Sequence, residues 1–362
     1  MILACCFGNE RCAMCDMYKN VMNAMPNKEN IVVIIPSAYG KDEFSNEFRD
    51  RIVENITGIK NKKKRLVYLL PIYFKMKCIL KKYPIQHVYF QNSNFIYDMI
   101  IWLIYGNQVQ YTLWLHDPVL HEGVTRLERW YRRAALATYF HSIKTFILSY
   151  QDAKNVVKNS VDLCQFEQRM KVLYLPQMPE MEFMELKQEH IPIEYDYIFY
   201  GRIEEYKGLE LFIEAFDQIA DKKTLLIVGM GRDEENIKEK IADNPRIKFL
   251  NQYAENQDLA KYIMMSKCVV LPYKSATGSQ TIAIANYYGR MVLATKVGCF
   301  PEYIQEGENG FFIENYTVEA MKVALEKTDE YLNICTPEKI QKVYDKFDIK
   351  KIAHRLYQEI IS

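Results

Sequence analysis

The sequence predicts an α/β protein built from two doubly wound domains. Three observations carry that expectation. Short runs rich in Val, Ile, Tyr and Phe alternate with longer amphipathic stretches, the pattern of a parallel sheet covered by helices. The alternation stops once, over Pro176–Ile193, where Pro176, Pro179 and Pro192 stand among dense Met and Glu, and then restarts. The 362 residues, 49% of them hydrophobic and 26% charged, suffice for two cores at about 150 residues each. That composition excludes a disordered or fibrous chain.

In the first half, strands are expected at Ile2–Phe7, Ile31–Pro36, His87–Gln91, Val109–Leu115, Thr145–Ser149 and Val172–Leu175. Each is a short, nearly continuous apolar run, as a strand covered on both faces requires. Helical periodicity runs over Pro71–Tyr83, Thr125–His141 and Gln151–Asn159. The apolar stretch Phe95–Tyr105 is interrupted by Asp98 and closed by Gly106-Asn107. It falls short of the roughly 20 residues needed to cross a bilayer. In the second half the strands are Tyr197–Tyr200, Thr224–Val228, Ile247–Leu250, Cys268–Pro272 and Met291–Ala294, with helices near Glu234–Ile241 and Ile282–Tyr288. Phe347–Ile361 is a last amphipathic helix, with Phe347, Ile349, Ile352, Leu356 and Ile360 on one side. The expected division is a first domain over 1–180, a linker over 181–194, a second domain over 195–345 and a final helix over 346–362.

The nine cysteines are odd in number and scattered, which reads as reduced thiols rather than a disulfide framework. Cys12 and Cys15 form a C-x-x-C with no second pair to complete a zinc site. His116 and His121 have finger-like spacing but stand about a hundred residues from that pair. Leu3-Ala4-Cys5 has too few residues before it for a signal peptide.

The formal net charge of +1 conceals a division. Residues 1–180 hold 24 basic and 16 acidic side chains, and the remainder holds 23 basic and 30 acidic. The basic excess gathers at Lys60, Lys62, Lys63, Lys64 and Arg65, then at Lys75, Lys77, Lys81 and Lys82, interleaved with Leu, Val, Ile, Tyr and Phe. Basic side chains beside apolar ones suit an anionic membrane surface. Arg126, Arg129 and Arg133 add a second stripe on a helix. No helix-turn-helix, ribonucleoprotein or zinc pattern accompanies them, so nucleic acid is not expected as a partner.

Three turns at strand ends could carry chemistry. Gly201-Arg202-Ile203-Glu204-Glu205-Tyr206-Lys207-Gly208 follows the strand Tyr197–Tyr200 and places an Arg and a Lys five residues apart, both able to reach one diphosphate. Gly229-Met230-Gly231 makes a tight turn after Thr224–Val228 but lacks the third glycine of a dinucleotide fingerprint. Lys274-Ser275-Ala276-Thr277-Gly278-Ser279-Gln280-Thr281 opens an apolar helix, whose first N–H groups suit an anion. In the first half, His116 and Asp117 end the strand Val109–Leu115, where a ligand crevice of such a sheet opens. His121 and Glu122 follow on the same loop, and Gly8 lies in the turn after the first strand.

Taken in order, and with Gly289 through Glu302, these features resemble the retaining GT-B glycosyltransferases, the superfamily of glycogen synthases and group 1 mannosyl-, glucosyl- and galactosyltransferases of bacterial polysaccharide assembly. The resemblance is concentrated over about residues 195–330. It implies two Rossmann-like domains facing across a cleft and a final helix that crosses back onto the first domain. It further implies transfer of a hexose, with retention, from a nucleotide-diphosphate sugar to a lipid-linked or surface-polysaccharide glycan, with UDP-sugar favoured over GDP-sugar. By resemblance Gly201, Arg202 and Lys207 hold the diphosphate. Tyr253 borders the base, Gly278, Ser279, Gln280 and Thr281 meet the phosphates and sugar, and Gly8 lies near the diphosphate. His116 and Asp117 then stand at the reacting sugar. His121 and Glu122 are assigned to the acceptor, and Lys62, Lys63, Lys64 and Arg65 to the membrane. No Asp-x-Asp stands at a strand end, so neither a metal nor any other cofactor is expected. The expected location is the cytoplasmic face of a membrane, peripherally bound.

One departure from the family stands out. Its two glutamates, eight positions apart, are replaced by Ala276 and Ile284. That departure motivates a second reading, a GT-B-like binding or partner subunit without catalysis. A two-domain nucleotide-sugar epimerase is a third, but its His and carboxylate set is not evident.

Overall fold

The computed structural model describes residues 1–8, 10–54, 69–116, 118, 126–176, 191–220, 222–242, 244–276 and 280–362. The chain divides into two compact units, Met1–Pro176 together with Ile349–Ser362, and Gln177–Asp348.

The first unit is a seven-stranded parallel sheet in the order β3-β2-β1-β4-β5-β6-β7. Its strands are β1 Ile2–Cys5, β2 Ile31–Ile35, β3 Ile52–Glu54, β4 His87–Phe90, β5 Gln110–Leu115, β6 Ile143–Leu148 and β7 Met170–Val172. Ile2 of β1 lies opposite Ile31 on one side and His87 on the other. The strand order therefore reverses between β1 and β4, and such a reversal opens a crevice at the carboxyl ends of the two strands. All four residues of β1 and all five of β2 are buried, which is why they read as continuous apolar runs. The Tyr18 hydroxyl donates to the carbonyls of Ala4 and Ile34, 2.9 and 3.1 Å away, so it satisfies its own burial while joining the two strands.

Several elements depart from the sequence expectation. The helix Ala13–Ala24 was not expected, because the positions it buries include Cys15, Met17 and Met22 among Asn and Asp. Phe95–Tyr105 is a helix of the first unit, and Asp98 is not a break in it but a buried residue of its first turn. The helix expected from Pro71 begins at Leu69, with Pro71 in its first turn, where the missing N–H costs nothing. The long helix expected to His141 stops at Leu136 and is followed by a 3-10 turn over Tyr139–Ser142. β3 is only three residues long, too short to leave a pattern.

The final helix Ile349–Ile361 belongs to the first unit. Ile349, Ile352, Ala353, Leu356 and Ile360 are buried, and the helix packs on Ala13–Ala24. Phe347 precedes it in a separate 3-10 turn.

The second unit is a six-stranded parallel sheet in the order β10-β9-β8-β11-β12-β13. Its strands are β8 Tyr195–Tyr200, β9 Leu225–Val228, β10 Ile247–Leu250, β11 Ser266–Leu271, β12 Met291–Thr295 and β13 Gly310–Ile313. The last was not expected, being a short edge strand that opens on a glycine. Here the strand order reverses between β8 and β11, so the turns after β8 and β11 flank the crevice.

Candidate functional site

The turn after β8 is held by backbone alone. Gly201 N–H donates to Val228 O at 3.0 Å, and Ile203 N–H to Met230 O at 2.8 Å. A Cβ on Gly229 would stand 1.9 Å from the Gly201 carbonyl oxygen, so the turns after β8 and β9 touch only because that residue is glycine. A single 3-10 turn, Glu205–Lys207, then leads into the helix Leu209–Gln218. Arg202 is exposed at the start of this turn, whereas Lys207 at its end is only 8% exposed.

The Lys207 ammonium lies over two aromatic rings, 5.7 Å from the centre of Phe199 and 5.2 Å from that of Tyr273. Among the described residues it forms no ion pair. Burial, reinforced by the nearby Arg202 and opposed by Glu204, pushes its pKa down to about 8. A buried cation that faces two rings and forms no ion pair among the described residues is costly to the free protein, and an anion between Lys207 and Arg202 would remove that cost. Phe199 and Tyr273 escaped the sequence reading, because Phe199 looks like core and Tyr273 stands 66 residues from Lys207.

The turn after β11 meets the first. Lys274 N–H donates to Tyr206 O at 2.7 Å, and the Tyr200 hydroxyl donates to Thr281 O at 2.9 Å. Gln280 and Thr281 begin the helix Thr281–Tyr287, while Gly278 and Ser279 lie outside the described residues. Gly298, at φ +49, lets the next turn approach so closely that a Cβ there would stand 1.6 Å from the Ala276 carbonyl oxygen. Ile284 is half-buried in the helix. Tyr253, after β10, is 78% exposed.

In the first unit, His116 follows β5 with both ring nitrogens engaged. Nε2 donates to the Gln91 carbonyl at 2.9 Å, and Nδ1 is 3.1 Å from Ser149 Oγ. The carbonyl can only accept, so Nε2 carries the proton and Nδ1 accepts from the hydroxyl. Ser149 Oγ accepts in turn from Trp114 Nε1 at 3.0 Å, and the imidazole stacks on that indole at 5.3 Å. The ring lies inside although the residue keeps some exposed surface, and burial holds its pKa down at about 3. Both ring nitrogens of His116 thus join the ends of β4, β5 and β6.

Gly8 stands in the turn after β1, where its carbonyl accepts from Ser37 N–H at 3.0 Å. Asp117, His121 and Glu122 lie outside the described residues, as do Lys62, Lys63, Lys64 and Arg65. Among the described residues no group of three or more His, Cys, Asp or Glu is placed to hold a metal ion, and no helix is long and apolar enough to cross a membrane.

Residues 194–328 match the family described as glycosyl transferases group 1. The second unit is a group 1 glycosyltransferase domain. Over 99 residues this chain is 32% identical to a GDP-mannose:glycolipid 4-beta-D-mannosyltransferase of Xanthomonas campestris pv. campestris. That match takes in 26% of this chain and spans only 28% of the relative's length. Two solved structures resemble nearly the whole chain. The HepE protein of Anabaena, solved in complex with UDP, superposes with a TM-score of 0.69 at 16% identity, covering 99% of this chain and 98% of that one. Sucrose-phosphate synthase of Thermosynechococcus elongatus superposes with a TM-score of 0.71 at 15% identity, covering 99% and 97%. The fold of the chain is therefore GT-B.

Proposed function

We propose that this chain transfers a hexose, with retention, from a nucleotide-diphosphate sugar to a hydroxyl of a lipid-linked or surface-polysaccharide glycan. The observation that carries this reading is Lys207, a buried cation without a carboxylate partner among the described residues, beside the exposed Arg202 on one turn. As the bond to the sugar breaks, charge gathers on the departing diphosphate. Arg202 meets it with a planar fork and Lys207 with a point charge in a site of low dielectric, where such contacts are strongest. UDP-sugar is favoured as donor, since HepE, solved with UDP and with UDP-glucose, shares the fold over its full length. The relative named for GDP-mannose matches only about a quarter of the chain, and its name supports a glycolipid acceptor.

Turnover with a panel of UDP- and GDP-sugars tests the reading. Arg202→Ala and Lys207→Ala should each lower kcat/KM by about 30-fold or more, or about 2 kcal/mol of transition-state binding. Near-normal turnover in both variants would contradict the assignment. Ala276 and Ile284 favour the second reading, a partner subunit that binds nucleotide without catalysis. Tight UDP binding with neither transfer nor donor hydrolysis would establish it.

The acceptor is proposed to be met at the cytoplasmic face of an anionic membrane. The helices Leu69–Leu80, Phe95–Tyr105 and Arg126–Leu136 pack side by side in the first unit. They expose Leu70, Phe74, Leu103, Leu127 and Trp130 among Lys75, Lys77, Arg126 and Arg133. Apolar side chains that insert, ringed by cations that attract anionic lipid, suit peripheral binding. Binding to anionic vesicles should fall with salt, and Trp130→Ala with Phe74→Ala should weaken it about tenfold or more. Equal binding by that double variant would contradict the assignment.

A further inference from the structure

The transferase reading leaves one constellation unused. Cys6, just beyond β1, and Cys15, in the first turn of Ala13–Ala24, are both buried with their sulfurs 3.9 Å apart. Cys12, the N-cap of that helix, is exposed. Its backbone is extended rather than helical, and its carbonyl accepts from the N–H groups of Cys15 and Asp16 at 2.9 and 3.0 Å. Residues at the N-cap and three positions on stand on one side of the helix, about 5–6 Å apart between Cβ atoms. That is slightly beyond the ~3.5–4.5 Å of a disulfide, so a small adjustment at the non-helical N-cap suffices. The arrangement therefore pairs an exposed thiol with a buried one directly behind it.

We propose that Cys12 and Cys15 are a modification site at which a low-molecular-weight disulfide of the glutathione class installs an intrachain disulfide. The Cys12 thiolate attacks one sulfur of the small disulfide. A Cys12–S–S–R bond forms, the R–S–S–R bond breaks, and R–S⁻ leaves and takes up a proton. The Cys15 thiolate then attacks the Cys12 sulfur, the Cys12–Cys15 bond forms, and the second R–S⁻ leaves and is protonated. Two protein thiols are oxidised and one small disulfide is reduced to two thiols. Exposure sets the order, because only Cys12 meets the reagent directly.

Burial raises the pKa of Cys12, and the Cys6 thiol and then burial raise that of Cys15. Closure is therefore slow, but the reduced pair gains no stabilisation as thiolate, so the disulfide once formed persists. A Cβ on Gly8 would stand 2.2 Å from Cys15 Sγ, so this sulfur fills the space under the Gly8 turn. The site thus lies beside the β1/β4 crevice of the first unit and would stand even without the transferase reading.

The full reduced chain, incubated with oxidised glutathione, alkylated with N-ethylmaleimide and cut with trypsin, tests this. Cleavage after Arg11 and Lys19 leaves both thiols in one peptide, Cys12–Lys19, and Cys6 in another. The expected result is a Cys12–Lys19 peptide two hydrogens lighter than its reduced form and without maleimide, restored to the alkylated form by dithiothreitol. Cys12→Ser should keep its melting temperature, since Ser is a favoured N-cap, and should leave Cys15 alkylated after denaturation. Three results would each overturn the proposal. One is glutathione persisting on Cys12 with Cys15 reduced. Another is a peptide cross-linked through Cys6. The third is full alkylation of both thiols under conditions that modify the exposed Cys78 and Cys164.

Discussion

Lys207 and His116 are both buried basic side chains at strand ends, and their partners set them apart. His116 has a carbonyl and a hydroxyl within the first unit, and burial keeps it neutral. Lys207 has two ring faces and the repulsion of Arg202. Its folded pKa of about 8 lies below the ordinary lysine value of 10.5, so between those values the unfolded chain binds more protons. Its contribution to stability therefore rises with pH across that window. Affinity for a diphosphate should move the opposite way. UDP binding should be level below about pH 8 and then weaken by up to tenfold per pH unit as the ammonium loses its proton, a trend that Lys207→Met should abolish. Titration calorimetry at a series of pH values checks this. The sequence displayed the two cations through their turn. It did not display what surrounds Lys207, because Phe199 reads as a core position of β8 and Tyr273 comes from the turn after β11, nor what holds His116, because Gln91 and Ser149 follow other strands of the first unit.

The elements legible in the sequence are those whose burial leaves a pattern. β1, β2, β9 and β12 are covered on both faces and read as unbroken apolar runs. The final helix has one buried face and reads as such. Phe95–Tyr105 is apolar nearly all round, which hides its period, and Asp98 reads as an interruption until Tyr139 and the Asn94 N–H are seen donating to it at 2.9 and 2.7 Å. The final helix invites a test at this scale. Leu356 is fully buried where the helix packs in the first unit, so Leu356→Ala should destabilise that unit by about 2–5 kcal/mol in urea unfolding. The exposed Arg355 on the same helix should tolerate Arg355→Ala within about 0.5 kcal/mol.

Across the whole molecule the net charge of +1 is the sum of a basic first half and an acidic second half. The first unit sets exposed Trp130 and Phe74 among cations, as a lipid surface would require. On the proposed reading, the turn cations of the second unit meet a smaller anion within an acidic surround, which discourages indiscriminate anion binding. The central claim is that the β8 turn exists to hold a diphosphate, and Lys207→Met tests it most directly, because it separates function from stability. Replacing a buried cation that forms no ion pair among the described residues by an apolar side chain of similar length should leave the melting temperature unchanged or raise it. The same change should weaken UDP binding by about 30-fold or more in titration calorimetry. A Lys207→Met protein that binds UDP as tightly as the parent chain would contradict the account.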